Sequence, residues 1–327
     1  MRTNPNPKPE FVERMKKLLS PSDYEKYGEI LKIAPVKSLR VNTLKITPEV
    51  LKKRLEEKSW KITQPWKGHP EVMVVEGKIS NKTIIDLEPG ELGRALEHLL
   101  GYYYIQELAS MLPVIALEPK KGEMILDLCA SPGSKTTQIA SCMENTGNIF
   151  ANEISYGRIK ILASNLERCG VTNTVITKKE GVALCNRLKK AGFLFDKILV
   201  DAPCSGEGTL RSTPKTYLMW NPNTIKSLSK LQKTLVASAL DILKPNGTLV
   251  YSTCTHAPEE NEAIVDYIIK NFSNVNIEKI SLPIKCRPGI DEWENEKFSK
   301  EVNLACRIYP QDNNTEGFFV CKIKKIK

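Results

Sequence analysis

The chain has little histidine, three residues in 327, and none of its nine cysteines falls in a C-x-x-C pair. A zinc knuckle or ribbon needs clustered thiolate and imidazole ligands, so that class is excluded. No apolar run approaches the roughly 18 residues of a membrane helix. Neither the G-x-x-x-x-G-K-[ST] phosphate loop nor the G-x-G-x-x-G dinucleotide turn is present, and no internal repeat or low-complexity tract appears. The odd cysteine count and the lack of a leader-like segment point away from a disulfide scaffold and toward a reducing cytosol. The expectation is a cytoplasmic monomer that holds no metal and touches no membrane.

Basic charge, in contrast, is plentiful. Lys and Arg number 48 against 38 Asp and Glu, a formal net charge of +10, which favours a polyanionic partner, nucleic acid foremost. With 41% hydrophobic and 26% charged residues the chain reads as folded and globular, long enough for two domains.

Residues 1–100 read as a small α+β accessory domain facing a polyanion. After a Pro-rich start, helices are expected over 11–19 and 24–31 and an alternating strand over 38–44. A helix opens at Thr47 and Pro48, the N-cap and first-turn residue types, and a strand covers 71–75. From 101 to 327 the grammar changes. Strands over 124–128, 148–151, 174–177, 197–200 and 248–251 alternate with helices over 134–142, 156–169, 223–243 and 259–270. Such alternation predicts an α/β, Rossmann-like parallel sheet with helices on both faces.

Three strand ends carry the polar chemistry. After the first, Asp127-Leu-Cys-Ala-Ser-Pro-Gly-Ser-Lys-Thr136 is a tight turn into a helix start, where a ligand approaches backbone N–H groups closely. The second ends at Glu153, placed to accept from ribose hydroxyls, and the third is followed by Glu180, placed for an adenosine edge. Together they outline an adenosine-containing cofactor. Two further apolar runs end in Asp201-Ala-Pro-Cys204 and Ser252-Thr-Cys254. A thiol with a pKa near 8.5 is only about 3% thiolate at pH 7, so a nucleophile there needs a cationic neighbour such as Lys135 or a cofactor sulfonium. Cys142, Cys169, Cys185, Cys306 and Cys321 are expected to be buried small hydrophobes, and Cys129 to pack under its loop. A papain-like thiol hydrolase is rejected: His256 lies two residues beyond Cys254, but no Cys-His-Asn spacing accompanies it.

These residues resemble the Sun (Fmu) family of S-adenosylmethionine-dependent RNA cytosine-5 methyltransferases, archaeal tRNA enzymes in particular, over about residues 36–325. The resemblance rests on Arg40-Val-Asn-Thr-Leu-Lys45, Tyr104-Ile-Gln-Glu-Leu-Ala-Ser-Met111, the 127–136 loop and the segment 201–206. It continues through Trp220, Gln232, Tyr251-Ser-Thr-Cys254, Glu259-Glu-Asn-Glu262 and Gly317-Phe-Phe319. It implies a class I methyltransferase sheet and S-adenosylmethionine as cofactor, bound through Cys129, Ala130, Ser131, Pro132, Gly133, Ser134, Lys135, Glu153, Arg158, Glu180 and Asp201. It further implies that Cys254 adds to cytosine C6, that Asp201 bonds the N3 and amino edge, that Cys204 helps the adduct break down, and that Lys135 approaches the base. Three departures stand out: Ser134 for the usual Gly, Glu180 for the usual Asp, and Gln311-Asp-Asn-Asn-Thr-Glu316 where a His often precedes Gly-Phe-Phe. Ribosomal RNA is the alternative substrate, and a non-catalytic ribosome-assembly factor the alternative class. DNA methylation is disfavoured, because there the Pro-Cys thiol is the nucleophile and a Glu-Asn-Val motif supplies the acid.

Overall fold

Alternation over residues 38–44 becomes a strand because Leu39 and Val41 point into one core while their neighbours point the other way. In the computed structural model, which describes residues 7–326, this strand is β1, Lys37–Val41. Residues 1–6, and with them most of the Pro-rich start, lie outside the described residues. Close packing divides the chain into two units: Val36–Leu199, and the residues up to Pro35 together with those from Val200 onward.

In the first unit β1 is joined by β2 (Trp60–Thr63), β3 (Val72–Ser80), β4 (Thr83–Ile85) and β5 (Tyr103–Ile105). The order is β2-β3-β1-β5, antiparallel, with β4 paired to β3. The helix Pro48–Glu56 starts where the sequence places it, with the Thr47 side chain accepting from the Val50 N–H. Its Leu51 and Leu55 meet Trp60, Met73 and Tyr103 over the sheet. The same unit holds β6 (Met124–Asp127), β7 (Asn148–Asn152), β8 (Thr174–Thr177) and the body of β9 (Phe195–Asp201), in the order β9-β6-β7-β8 and all parallel. Helices Ser134–Cys142 and Tyr156–Cys169 coincide with their expected spans. Leu108–Leu117 and Gly181–Lys190 were not anticipated. The former is buried nearly all round, so it has no amphipathic period to read.

Strand β9 carries the chain into the second unit, which adds β10 (Leu243–Thr253), β11 (Val275–Glu278), β12 (Arg287–Pro288), β13 (Glu292–Trp293), β14 (Glu296–Lys297), β15 (Cys306–Ile308) and β16 (Phe318–Lys325). Here the order is β9-β10-β16-β15-β12, with β11 on the far part of β16, and the pairs from β10 outward are antiparallel. The parallel sheet expected from strand–helix alternation is therefore mixed. Parallel neighbours need a long crossover, usually helical, and only the four-residue helix Pro310–Asn313 separates β15 from β16.

Helices Pro9–Leu18 and Pro21–Ile30 pack in this second unit. Phe11, Met15 and Tyr27 join Tyr217, Trp220, Ile225 and Tyr309 in one apolar cluster. Arg14 grips Glu259 with two hydrogen bonds (3.0 and 2.8 Å), and Arg287 grips Asp23 with two more (2.7 and 2.9 Å). The division by packing thus differs from the boundary expected near residue 100: the first two helices associate with residues beyond 200. The deepest ion pair of the unit joins Arg307 to Glu262, both fully buried, and Arg307 also donates to the His256 carbonyl at 3.0 Å. Removing one partner strands the other charge. Glu262→Ala is expected to destabilise the protein by about 3–5 kcal/mol, read from denaturant midpoints, whereas exposed Glu29→Ala leaves them within about 0.5 kcal/mol.

Candidate active site

Strand β6 stops at Asp127, whose Oδ2 accepts from Thr136 Oγ1 at 2.7 Å and so ties the strand end to the helix beyond the loop. Between them the chain turns through a cis Ser131–Pro132 bond and through Gly133 at φ +103°, a conformation that L side chains rarely adopt. The Ala130 N–H donates to the Asn152 carbonyl (2.8 Å), which fastens the loop to the end of β7. From β7 the chain reaches Glu153, almost fully buried. One carboxylate oxygen accepts from the Ser155 N–H at 2.8 Å and the other pairs with Arg158 at 3.3 Å. Arg158 also donates to the Ser131 carbonyl, and the Ser131 hydroxyl donates to the Arg158 carbonyl, so loop and second strand end are cross-linked. Glu180 is exposed, and both its oxygens cap the helix Gly181–Lys190 through the Val182 and Ala183 N–H groups. Lys135 is buried in the first turn of its helix, its ammonium donating to Ser110 Oγ at 3.0 Å. Cys129 is half-buried.

This donor set fits S-adenosylmethionine. Acids stand at the ends of β7 and β8, each with lone pairs beyond those used above, and the turn at the end of β6 leads into the first turn of a helix. The Ser134 backbone carbonyl accepts from Arg40 and from Thr137 Oγ1.

The second unit brings together the remaining sequence-derived residues. Asp201 ends β9 and its Oδ1 accepts from Ser252 Oγ at 2.7 Å. Cys204 and Cys254, fifty residues apart, have their sulfurs 3.1 Å from each other, and the Cys254 N–H donates to Cys204 Sγ at 3.3 Å. The hydrogen bond to Cys254 pushes the Cys204 thiol far up, with burial and the charges of Cys254 and Glu260 adding to it.

Sequence reasoning noted Gln232 and Glu260 without giving either a task. Glu260 accepts from the Ser205 N–H (3.1 Å) and from Gln232 Nε2 (2.8 Å), while the same Gln232 nitrogen donates to the Pro203 carbonyl (2.8 Å). The turn that presents Cys204 is therefore held on both sides. Burial lifts the Glu260 carboxyl to about 7, and the charge of Glu207 adds to this against the pull of Ser205 and Gln232. Glu207 itself accepts from Trp220 Nε1 (2.7 Å) and Thr255 Oγ1 (3.2 Å). The helix expected over 259–270 starts only at Glu262, because the Glu260 and Asn261 side chains are occupied elsewhere. Asn261 accepts from Thr253 Oγ1 (2.6 Å) and donates to the Thr255 carbonyl (3.0 Å), shaping the turn of Cys254.

One expectation changes. Cys142, expected to be buried, is exposed and lines a cavity of about 360 Å³ with Arg40, His69 and Glu71; Cys169, Cys185, Cys306 and Cys321 are buried as anticipated. His256 lies in the loop beyond Cys254 and is fully buried there, stacked on Tyr309 (5.1 Å) with the Tyr27 edge against it (5.7 Å). A Cβ at Gly317 would stand 2.3 Å from that ring, which is why Gly precedes the two phenylalanines.

Parallel strands with a ligand turn at their carboxyl ends, followed by a Pro-Cys and Thr-Cys pair, define a Rossmann-like methyltransferase. The family described as 16S rRNA methyltransferase RsmB/F matches residues 114–324, and the one described as the N-terminal domain of 16S rRNA methyltransferase RsmF matches 8–108. The chain belongs to the RsmB/F (Sun/Fmu) family of RNA methyltransferases, and its enzyme class is RNA cytosine-5 methyltransferase. It is 41% identical to the tRNA (cytosine(49)-C(5))-methyltransferase of Pyrococcus abyssi, over 96% of this chain and 95% of that protein. It is 40% identical to the ribosomal RNA small subunit methyltransferase F of Aliivibrio salmonicida, over 88% of this chain but 58% of the relative. Among solved structures it resembles a methyltransferase homolog protein from Pyrococcus horikoshii, with TM-score 0.80, 32% identity, and 98% of this chain and 100% of that one covered. It also resembles NSun6 from the same organism with SFG, with TM-score 0.82, 26% identity and 98% of each chain covered.

Burial, with the charge of Arg307 adding, lowers His256 to about 3, far below the roughly 6.5 of an unfolded histidine. As pH falls through about 6.5 the unfolded chain gains a proton that the folded chain refuses, so this group costs stability progressively down to about pH 3. Melting temperatures measured from pH 7 to pH 4 are expected to fall less steeply for His256→Phe than for the wild type.

Proposed function

We propose that the protein methylates C5 of a cytosine in tRNA, with Cys254 as the nucleophile toward C6 and Cys204 as the group that completes the cycle. The contact between the two sulfurs, 3.1 Å, carries this reading. Cytosine C5 is a poor nucleophile until C6 has been attacked, so a thiolate is the first requirement. Cys204 is held strongly as a thiol 3.1 Å from the sulfur of Cys254, so the attacking role toward C6 is assigned to Cys254. Cys254 then forms the S–C6 bond. Asp201, oriented by Ser252, bonds the N3 and amino edge of the base as electron density moves to C5. S-adenosylmethionine, held by the loop 129–135 with Glu153, Arg158 and Glu180, supplies the electrophilic methyl group.

Adduct formation makes Cys254 a neutral thioether. That removes the main cause keeping Cys204 protonated; Cys204 releases its proton to solvent, and the resulting thiolate takes the C5 proton. Loss of that proton expels Cys254 and restores the aromatic ring, now methylated. The target cytosine must be unpaired or flipped to reach two thiols set in turns.

tRNA is favoured over ribosomal RNA by the 41% identity to a tRNA-modifying relative along 96% of this chain. The +10 charge suits either polyanion, and residues 1–100 are proposed to help grip it. By analogy with the relative's cytosine 49, the variable-loop junction is the expected region. The protein is further proposed to act as a cytoplasmic monomer.

Cys254→Ala is expected to abolish tritium transfer from labelled cofactor, and Cys204→Ala to leave a denaturant-resistant protein–RNA adduct; adducts forming with Cys254→Ala would reverse the two roles. Nucleoside mass spectrometry of tRNA and rRNA fractions from cells with and without the gene should lose 5-methylcytidine from tRNA alone. Loss from rRNA would redirect the substrate. No loss, with RNA still bound, would favour the assembly-factor reading.

A further inference from the structure

The motifs Arg40-Val41-Asn42 and Tyr104-Ile105-Gln106 lie on β1 and at the end of β5, outside the methyltransferase strands, yet their polar side chains reach the cofactor loop. Ser38 and Arg40 on β1, and Asn42 just past its end, alternate with Leu39 and Val41, and all three are buried. A strand with one apolar and one fully buried polar face has a polar partner. That partner is the 131–138 segment with the helix that follows β7.

Arg40 donates from Nε to Gln106 Oε1 at 2.9 Å, and from Nη2 to both Thr137 Oγ1 (2.8 Å) and the Ser134 carbonyl (3.2 Å). Gln106 passes the contact on, its Nε2 donating to Gln138 Oε1 at 3.3 Å. The Tyr104 hydroxyl donates to the Pro132 carbonyl at 3.3 Å, and Asn165 donates to that same carbonyl (2.9 Å) and to the Tyr104 hydroxyl (3.1 Å). The Tyr104 ring lies within 6.0 Å of the Arg40 guanidinium and 5.6 Å of the Arg168 guanidinium. Asn42 closes the other end, donating to the Gly101 and Cys169 carbonyls at 2.8 and 2.7 Å.

Every hydrogen-bond acceptor of the buried Arg40 is neutral. Folding tolerates such a desolvated cation only where its geometry is over-determined, and here it is fixed to the first turn of the Ser134–Cys142 helix. That turn presents the N–H groups on which a ligand at a strand-end loop depends. A loop fixed beforehand spends less of its binding energy on ordering.

We propose that Arg40 and Tyr104 are positioning residues of the cofactor site. The β1–β5 sheet then serves cofactor binding directly, besides any part it has in holding RNA. The inference rests on reading residues 129–135 as the S-adenosylmethionine loop. Arg40 acts through Ser134 and Thr137, and Tyr104 through Pro132.

The test is calorimetric titration of S-adenosylhomocysteine into the full-length protein without RNA. Arg40→Lys keeps the charge and loses the forked contact; it is expected to weaken binding about tenfold. Tyr104→Phe keeps the ring and loses one donor, and is expected to weaken it about threefold. RNA affinity without cofactor should stay within about twofold for both, because both side chains are buried. A purely structural role predicts the opposite pattern: lowered melting temperatures with the cofactor dissociation constant unchanged. That result, or equal loss of cofactor and RNA binding, overturns the proposal. Failure of the wild type itself to bind S-adenosylhomocysteine would refute the loop assignment, and the proposal with it.

Discussion

Two sulfur atoms held 3.1 Å apart set the terms for much of the second unit. The cysteines sit in different turns after different strands, so their approach is a tertiary constraint that neither turn enforces alone. Ser205 Oγ meets Thr255 Oγ1 at 2.7 Å, and the Gly208 N–H donates to the Cys254 carbonyl at 2.9 Å. A Cβ at Gly208 would stand 2.2 Å from the Gly317 carbonyl, so the closeness of the turns depends on a residue with no side chain. The sulfur contact, and not either cysteine, is the unit on which chemistry can act.

The electrostatics beneath that contact oppose the chain as a whole. The protein carries a net charge of +10, yet Glu207 and Glu260 are buried behind the Cys204 turn and both are raised by that burial. The charge of Glu260 adds to the causes that keep Cys204 a thiol.

Much of the parallel half was legible in sequence. Each strand from 124 to 200 has a short apolar run, and the helices 134–142 and 156–169 have clear starts and stops, so their bounds were recovered. The antiparallel half was not, since two- and three-residue strands such as Arg287–Pro288 and Cys306–Ile308 are too short for a period of two to register. Of the candidate site, Asp201, Cys204 and Cys254 stood out because thiols at strand ends are chemically conspicuous. Glu260 did not, because a buried carboxylate and a solvated one look alike in sequence. Cys142 failed for the converse reason: residue type suggested burial, while its place at the last turn of a helix leaves it at the surface.

The polar face of β1 has an evolutionary consequence. Enzymes that modify RNA are commonly pictured as a catalytic domain to which recognition modules are attached and exchanged. Here a strand of the preceding sheet, through Arg40 and Asn42, is sewn into the helices on either side of the cofactor turn. Replacing that sheet with a different recognition module would take the Arg40 donor from the carbonyl at 134 and the Asn42 donor from the carbonyl at 169. Retargeting such an enzyme must therefore proceed by insertion into loops or by extension at the chain ends, leaving β1 and β5 in place.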